Sequence, residues 1–514
     1  MSPTIVTGVE GMLAFVGCDL GTMGTKAAVV SLDGRILGRA FEEVPVHTPR
    51  PGVVEQSFDE IEGSAHRTIR AALEAAGGDV ELGGVAFSGQ MSGIGSIDGR
   101  FAPATHFDSW LDSRCAPYIQ EMGRSGQRVT QLSGCPPTYS HGPKILWWRD
   151  ERPQDFERIA KFVVPGAYVA GRLAGLAVED VFIDRTYLHF TNLADTERCV
   201  WSNELLEEFD IDRRLLPDIV DPLDVVGTVN EAAARATGLP AGTPVVAGAG
   251  DQAAAALGAG VVEPGHAFDS AGTASVFALC LDEYAPDIAN RTFMATHSVI
   301  AATFLSVAFI NGGGLALRWF RDEVARLGAD PDAYERLHEM ASKVEPGSGG
   351  LLWYPHFQGR VLPPDPHARG GWMGLTGGHE HGHMFRAILE GIAYQYAEWA
   401  GLMAEHGGKM PSEARVLGGG ARSGLWNQIK ADVLGIEWVP TKREECGVLG
   451  DALIAAAGTG HVAVSDLAET ARRWQPTGNP IRPDPGRHRA YRHYLEAYRA
   501  LVNASGPVFE RLSR

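Results

Sequence analysis

Two stretches of this chain, about half its length apart, share one design. Leu13 to Asp19 (LAFVGCD) is an apolar run that enters the turn GTMGTK and leaves through AAVVSLDG, closed by Asp33-Gly34. Apolar run, tight Gly/Thr turn, apolar run is the signature of a β-hairpin. The segment HAFDSAGTASVFALCLD, which opens at His266, repeats the scheme. Asp19 to Thr25 reads DLGTMGT, and Asp269 to Ser275 reads DSAGTAS. The recurrence points to two related lobes, each opening on a hairpin that presents Gly and Thr. A chain of 514 residues is long enough for two to four domains. No long Pro/Ser linker divides the halves, so the lobes are expected to be intimate, with a cleft between them. Their expected extents are 12–250 and 251–514.

Between the hairpins, short buried strands alternate with helices, which gives an α/β class. Ser57 caps a predicted helix to Ala76, with Ile61, Ala65, Ile69 and Leu73 at spacing four. Gly83 to Ser88 and Pro244 to Gly250 read as buried strands. Pro143 to Arg149 reads as a helix start. His383 to Ala404 and Leu425 to Leu434 read as helices of the second half, which also holds a glycine cluster after Asn311 and the strand-turn ARVLGGGARS.

Lys+Arg 45 against Asp+Glu 63 gives a net charge of -18, which argues against nucleic acid and anionic membranes as partners. An anion must then be bound locally, by backbone N–H groups, a few cations or a metal. Glycine, 63 residues, is well above its usual share and is spread along the chain, where it serves turns and close backbone approaches. Cys18, Cys115, Cys135, Cys199, Cys280 and Cys446 form no CxxC, which suits a reducing, cytoplasmic setting. The first eleven residues lack the features of a signal peptide and read as an extension outside the fold. No apolar run reaches the length of a bilayer span.

Two Gly/Thr hairpins facing a cleft would clamp phosphates: Gly lets the backbone approach, amides point at oxygens, and Thr hydroxyls donate. Asp19, at the end of its strand, is placed for a divalent cation, since Mg2+ takes one or two carboxylates plus waters and phosphates. A plain tight turn with Asp19 as a cap accounts for either hairpin alone equally well. Asp251 follows an uninterrupted strand and precedes QAAAALGAG, a position at the carboxyl end of a strand where open α/β sheets place their sites. There it would accept a proton from a substrate hydroxyl attacking a phosphoryl group. The competing reading is an N-cap. Gly248 to Ala253 also matches GxGxxA, with Asp269 as a ribose-binding acid, the pattern of a dinucleotide-dependent oxidoreductase. His379, His381 and His383 read as a polar loop and helix start rather than a metal cluster, and Trp147-Trp148 as core packing.

Taken together, the motifs resemble those of the FGGY carbohydrate kinases, from about Met12 to Val462. GCDLGTMGTKAAVV resembles that family's opening phosphate motif, SGQMSG at Ser88 to Gly93 and WLDSR at Trp110 to Arg114 resemble the xylulokinase sugar loops GQMHG and WNDGR, and PKILWW resembles PKLLW. GAGDQAAAALGAG is similar to the motif with the catalytic Asp, SAGTAS to the second phosphate hairpin, VLGGGARSGLWNQIKAD to the adenosine-side motif, and GGWMGLTGGHEHGHMFRAILEG to the C-terminal signature. The resemblance implies two RNase H-like lobes of the actin/hexokinase/Hsp70 superfamily, with ATP and a small sugar or polyol between them. It implies Asp251 as general base and Asp19 at the Mg2+ and phosphate position. It places Gly21, Thr22, Thr25, Lys26, Gly272, Thr273 and Gly314 at nucleotide phosphates, and Gly418, Gly419 and Gly420 toward adenosine. Gln90, Met91, Ser92, Trp110, Asp112, Tyr139 and Gln252 then line the sugar site. A homodimer is compatible with this reading. A non-catalytic nucleotide-binding relative, in the manner of actin, would need neither Asp251 nor the QMSG loop. The departures fall in the sugar site: Ser92 and Leu111 stand where xylulokinases have His and Asn, and Gln252 and Tyr139 are as in glycerol kinases. His141 stands where the family prefers a small residue or Pro.

Overall fold

The computed structural model of the chain describes residues 11–78 and 80–512. All but the last residue of the expected N-terminal extension lies outside them. The first sheet is built from β1 (Met12–Leu20), β2 (Gly24–Ser31), β3 (Ile36–Glu43), β4 (Val80–Gly89), β5 (Val225–Thr228) and β6 (Pro244–Gly250), with helices α1 (Phe58–Ala76) and α2 (His141–Glu151) along the way. Helix α3 (Asp251–Gly258) follows β6 directly. The second sheet holds β7 (His266–Ala271), β8 (Ser275–Leu281), β9 (Met294–His297), β10 (Phe304–Ile310), β11 (Glu413–Leu417) and β12 (Glu437–Pro440). Its helices include α4 (Gly313–Trp319), α5 (His381–Gly407) and α6 (Gly424–Leu434), and α7 (Cys446–Gly458) comes after the last strand.

The two sheets repeat one topology. In the first, β3-β2-β1 is an antiparallel meander, β4 lies parallel to β1, and β6 lies parallel to β4. In the second, β10-β8-β7 is the matching antiparallel trio, with β9 at the edge beyond β10, β11 is parallel to β7, and β12 is parallel to β11. The doubled α/β arrangement expected from the two hairpins is therefore what the chain adopts. Strands buried on both faces need apolar runs. Accordingly β1 and β2 bury Phe15, Val16, Val29 and Val30, and β8 buries Phe277 and Leu279.

Local signals explain the helix ends. Ser57 accepts a hydrogen bond from the Asp59 amide at 3.2 Å, Asp59 and Glu60 sit in the positive first turn, and Ile61, Ala65 and Ile69 face the core. Helix α5 begins at His381, two residues before the predicted start, because Glu380 and His383 form a capping box.

The lobes are joined through α3 and α7. Although α7 comes late in the chain, it packs on β1, β4 and β6 of the first sheet and on α3. The crossing is close: a Cβ at Gly258 would lie 1.9 Å from the Cys446 carbonyl, and one at Gly450 would lie 2.0 Å from that of Ala254. Only glycine fits at either point.

Beneath the second hairpin, Asp269 and Lys430 form a fully buried ion pair, and the Tyr396 hydroxyl donates to the same carboxylate at 2.8 Å. Lys430 Nζ also sits 3.6 Å from the centre of the Trp426 ring. Breaking such a pair leaves a buried charge alone. Lys430→Met is expected to cost about 3–5 kcal/mol in urea unfolding, and Asp269→Asn in the same chain is expected to restore much of it.

Candidate active site

A cavity of about 330 Å³ lies between the lobes. One wall comes from the first lobe: Thr22 in the β1–β2 turn, Gln90, Met91 and Ser92 after β4, then Trp110 and Tyr139, with Asp251 and Gln252 on the first turn of α3. The opposite wall is largely apolar, with Val276, Val307 and Phe309 from the second sheet and Asn311 just beyond β10. Of the seven residues expected around the substrate, six line this space. Asp112 does not: its carboxylate is taken up by Arg114 at 2.9 Å and by the Val54 amide at 2.8 Å.

The loops of the first wall are tied by a hydrogen-bond chain. Trp110 Nε1 donates to Thr22 Oγ1 at 2.9 Å, Thr22 donates to Gln90 Oε1 at 3.1 Å, and Gln90 donates to Gln56 Oε1 at 2.6 Å. Ser92 donates to the Tyr139 carbonyl at 3.0 Å from a left-handed backbone (φ 66°), a conformation uncommon for non-glycine residues. Leu111 sits at the rim, 45% exposed.

Asp251 occupies the first helical position of α3. The N-cap is Gly250, with no side-chain cap, so the Asp251 carboxylate is free of the capping role weighed above. Burial, reinforced by the nearby Asp19, pushes its pKa up to about 7, while Gln252 hydrogen-bonds the carboxylate and holds it down. A Cβ at Gly250 would lie 2.4 Å from Met91 Cε, so a larger residue there would displace the Met91 side chain from the cavity wall.

Asp19, on β1, is raised by burial and lowered by Lys26. Its Oδ1 is buried with no hydrogen-bond partner. Asp451 on α7, which the sequence reading did not single out, belongs to the same carboxylate group. It is fully buried, accepts from Ser88 Oγ at 2.8 Å, and leaves its Oδ1 without a partner. Burial first, and then Asp19, holds its carboxyl well above the usual range. Two orphaned carboxylate oxygens suit a hard cation such as Mg2+. Among the described residues no cluster of three His, Cys, Asp or Glu has ligand spacing, so phosphate and water oxygens would complete the shell.

The remaining predicted positions divide. Gly272, Gly314, Gly419 and Gly420 line a second depression of about 630 Å³ in the second lobe, with His338 and Trp426. Gly418 adjoins it as the N-cap of the short turn that follows β11. Thr273 is exposed at the tip of the β7–β8 turn, and Gly314 packs so closely on Gly272 that a Cβ would meet its carbonyl at 1.9 Å. Gly21 lies in the first turn, where its amide donates to Gly24 at 3.1 Å. Thr25 points inward, 2.6 Å from Ser64 Oγ. Lys26 reaches Glu445 at 3.4 Å, linking the first hairpin to the start of α7.

The rival patterns resolve physically. Asp269 has both carboxylate oxygens engaged inside the second lobe and is not free to hold a ribose. His381 opens α5 and His383 caps it, while His379 bonds the Thr376 amide. Trp147 and Trp148 stack edge to face at 5.0 Å, and Trp148 donates to Asp108 at 2.6 Å, so they are packing residues. No helix among the described residues is long and apolar enough to cross a membrane.

Comparison with known proteins finds relatives along nearly the whole chain. Residues 14–258 match the N-terminal domain of the FGGY family of carbohydrate kinases, and residues 267–459 match its C-terminal domain. The chain is 30% identical to a xylulose kinase of Lactococcus lactis over 87% of this chain and 88% of that one. It is 28% identical to a gluconokinase of Bacillus subtilis over 97% and 95%. The crystal structure of xylulose kinase from Rhodospirillum rubrum superimposes with a TM-score of 0.88 at 26% identity, over 97% of this chain and 100% of that one.

Proposed function

Because the chain belongs to the FGGY family of carbohydrate kinases, phosphotransferases that use ATP, we propose that Asp251 is its general base and the interlobe cavity its sugar site. The observation that carries this reading is a carboxylate on the first turn of a helix, facing a cavity between the lobes, with burial raising its pKa toward neutrality. A base tuned near the working pH is the efficient one.

A substrate hydroxyl seated against Asp251 passes its proton to the carboxylate as its oxygen attacks the γ-phosphorus. The new O–P bond forms as the bond to the β-phosphate oxygen breaks, and ADP leaves. Bound near Asp19, Mg2+ would supply charge neutralisation on the phosphates. The backbone of the two Gly/Thr turns approaches the phosphate chain from either lobe, and the depression beside Gly419 and Gly420 receives the adenosine. The chain's own contribution is mostly positioning and electrostatics, with water excluded as the lobes close.

Measuring ADP release from ATP over ketoses, polyols and aldonates tests the reading. If no such substrate stimulates release, it fails. D-Xylulose is expected to be a poor substrate. Ser92 is short and already hydrogen-bonded to the Tyr139 carbonyl, and Leu111 offers no polar group. A kcat/KM on D-xylulose above about 10⁴ M⁻¹s⁻¹, the range of a true substrate, would contradict this.

A further inference from the structure

Resting on the kinase reading, we infer that Thr186 is a positioning residue for Asp251: its hydroxyl fixes the start of α3, and through it the second lobe sets where the base stands. β5 pairs with β6 only as far as Val246. Beyond that point the N–H groups of β6 turn to other acceptors. Those of Ala247 and Gly248 go to the carbonyls of Asp224 and Pro222, at 2.9 and 3.1 Å. That of Gly250 goes to a side chain, Thr186 Oγ1, at 2.8 Å. Gly250 is the N-cap of α3 and the residue directly before Asp251, so this bond holds the backbone that carries the carboxylate.

The hydroxyl is itself held. Thr186 Oγ1 donates to Asp184 Oδ1, an oxygen that also accepts from the Thr186 amide at 2.9 Å. The hydroxyl thus gives its hydrogen to Asp184 and a lone pair to Gly250, which fixes its rotation. The next residue, Tyr187, donates from its hydroxyl to the Gly89 carbonyl at 2.8 Å, directly before Gln90. Asp184, Thr186 and Tyr187 are all buried. One short turn therefore grips both the strand end that leads to the base and the strand end that leads to Gln90, Met91 and Ser92.

The same turn is held from across the cleft. Thr296 on β9 donates to the Thr186 carbonyl at 2.9 Å, and Arg185 reaches the Val299 carbonyl at 2.9 Å. Thr186 is bonded to the second lobe through its carbonyl and to the start of α3 through its hydroxyl. A displacement of β9 against the first lobe is passed to Gly250 through this one residue. Removing the hydroxyl leaves a buried N–H without its acceptor and frees the helix start to shift. A misplacement of about 1 Å at a catalytic group can cost about 10²-fold in rate.

The test uses the substrate with the highest kcat/KM in the ADP-release panel. Thr186→Val keeps the shape and removes the hydroxyl. It is expected to lower kcat by about 10- to 100-fold, with KM for that substrate and for ATP unchanged. Thr186→Ser keeps the hydroxyl and is expected to recover most of kcat. Thr296→Val is expected to lower kcat less, and the double variant Thr186→Val with Thr296→Val to be no slower than Thr186→Val alone, because both act on Asp251 through one bond. A wild-type kcat in Thr186→Val, a Thr186→Ser as slow as the Val variant, or losses that multiply in the double variant would each overturn the inference. Should Thr186→Val not fold, Thr296→Val alone carries the test, and a wild-type kcat there overturns it. Asp251→Asn in the same assay keeps the two readings apart. If it is inactive while Thr186→Val is unimpaired, only the role of Thr186 falls; if it turns over normally, both fall.

Discussion

Asp251→Asn is expected to lower kcat by about 10²–10⁴ or more while leaving the fold and ATP binding in place. Asn keeps the shape of the side chain and loses only the site for the proton. The helix start is not at risk, because Gly250 and not Asp251 occupies the N-cap. Measured ATP binding should match wild type, and turnover near the wild-type rate would remove Asp251 from the chemistry. A pH profile adds an independent check. The base must be ionised to accept a proton, and its ionised fraction grows as pH rises through a pKa of about 7. The rate should therefore climb with pH and level off on the alkaline side of neutrality. A profile that stays flat for a unit or more on either side of neutrality would mean that this carboxylate does not limit the rate.

Asp19→Ala is the second large effect. Its orphaned Oδ1 faces no protein donor, so the side chain is held ready for something the protein itself does not supply. Removing one preorganised charge that acts on developing phosphoryl charge costs about 10²–10³ in rate. The loss should come with a higher Mg2+ concentration for half-maximal rate and a nearly unchanged KM for the sugar, because Thr22, Gln90 and Trp110 are tied together independently of it. Titrating Mg2+ against rate in both proteins decides this, and superimposable curves would place the metal elsewhere.

Much of this candidate site is legible in the sequence, and the reasons are local. Pro244 to Gly250 is an apolar run bounded by proline and a helix-forming alanine tract, and it forms a strand over those same residues. The hairpins announced themselves through Gly and Thr at turns. Asp451 was not legible. GVLGDALIAAAG reads as an apolar helix with one stray carboxylate, and its meaning depends on a packing partner, β1, from the far end of the chain. A lone acid in an otherwise apolar helix was the available signal, because burying a charge is costly without a purpose. Asp112 illustrates the opposite limit. It sits two residues from Trp110, which lines the cavity, yet turns to Arg114 and Val54. In an irregular segment no periodicity tells which neighbour faces inward. His189 also lines the cavity, and nothing in LHFTNL marks a histidine as facing one.

The packing of α7 on β1 also sets a schedule for synthesis. Asp19 is made among the first residues, but the helix that covers its strand and brings Asp451 to it is translated near the other end. At roughly 5–20 residues per second, the nascent first sheet waits on the order of tens of seconds with one face bare. During that interval the growing polypeptide exposes an apolar surface that invites chaperones or misassociation. Asp19 likewise waits for its partner carboxylate, because Asp451 is translated only when the chain is nearly complete.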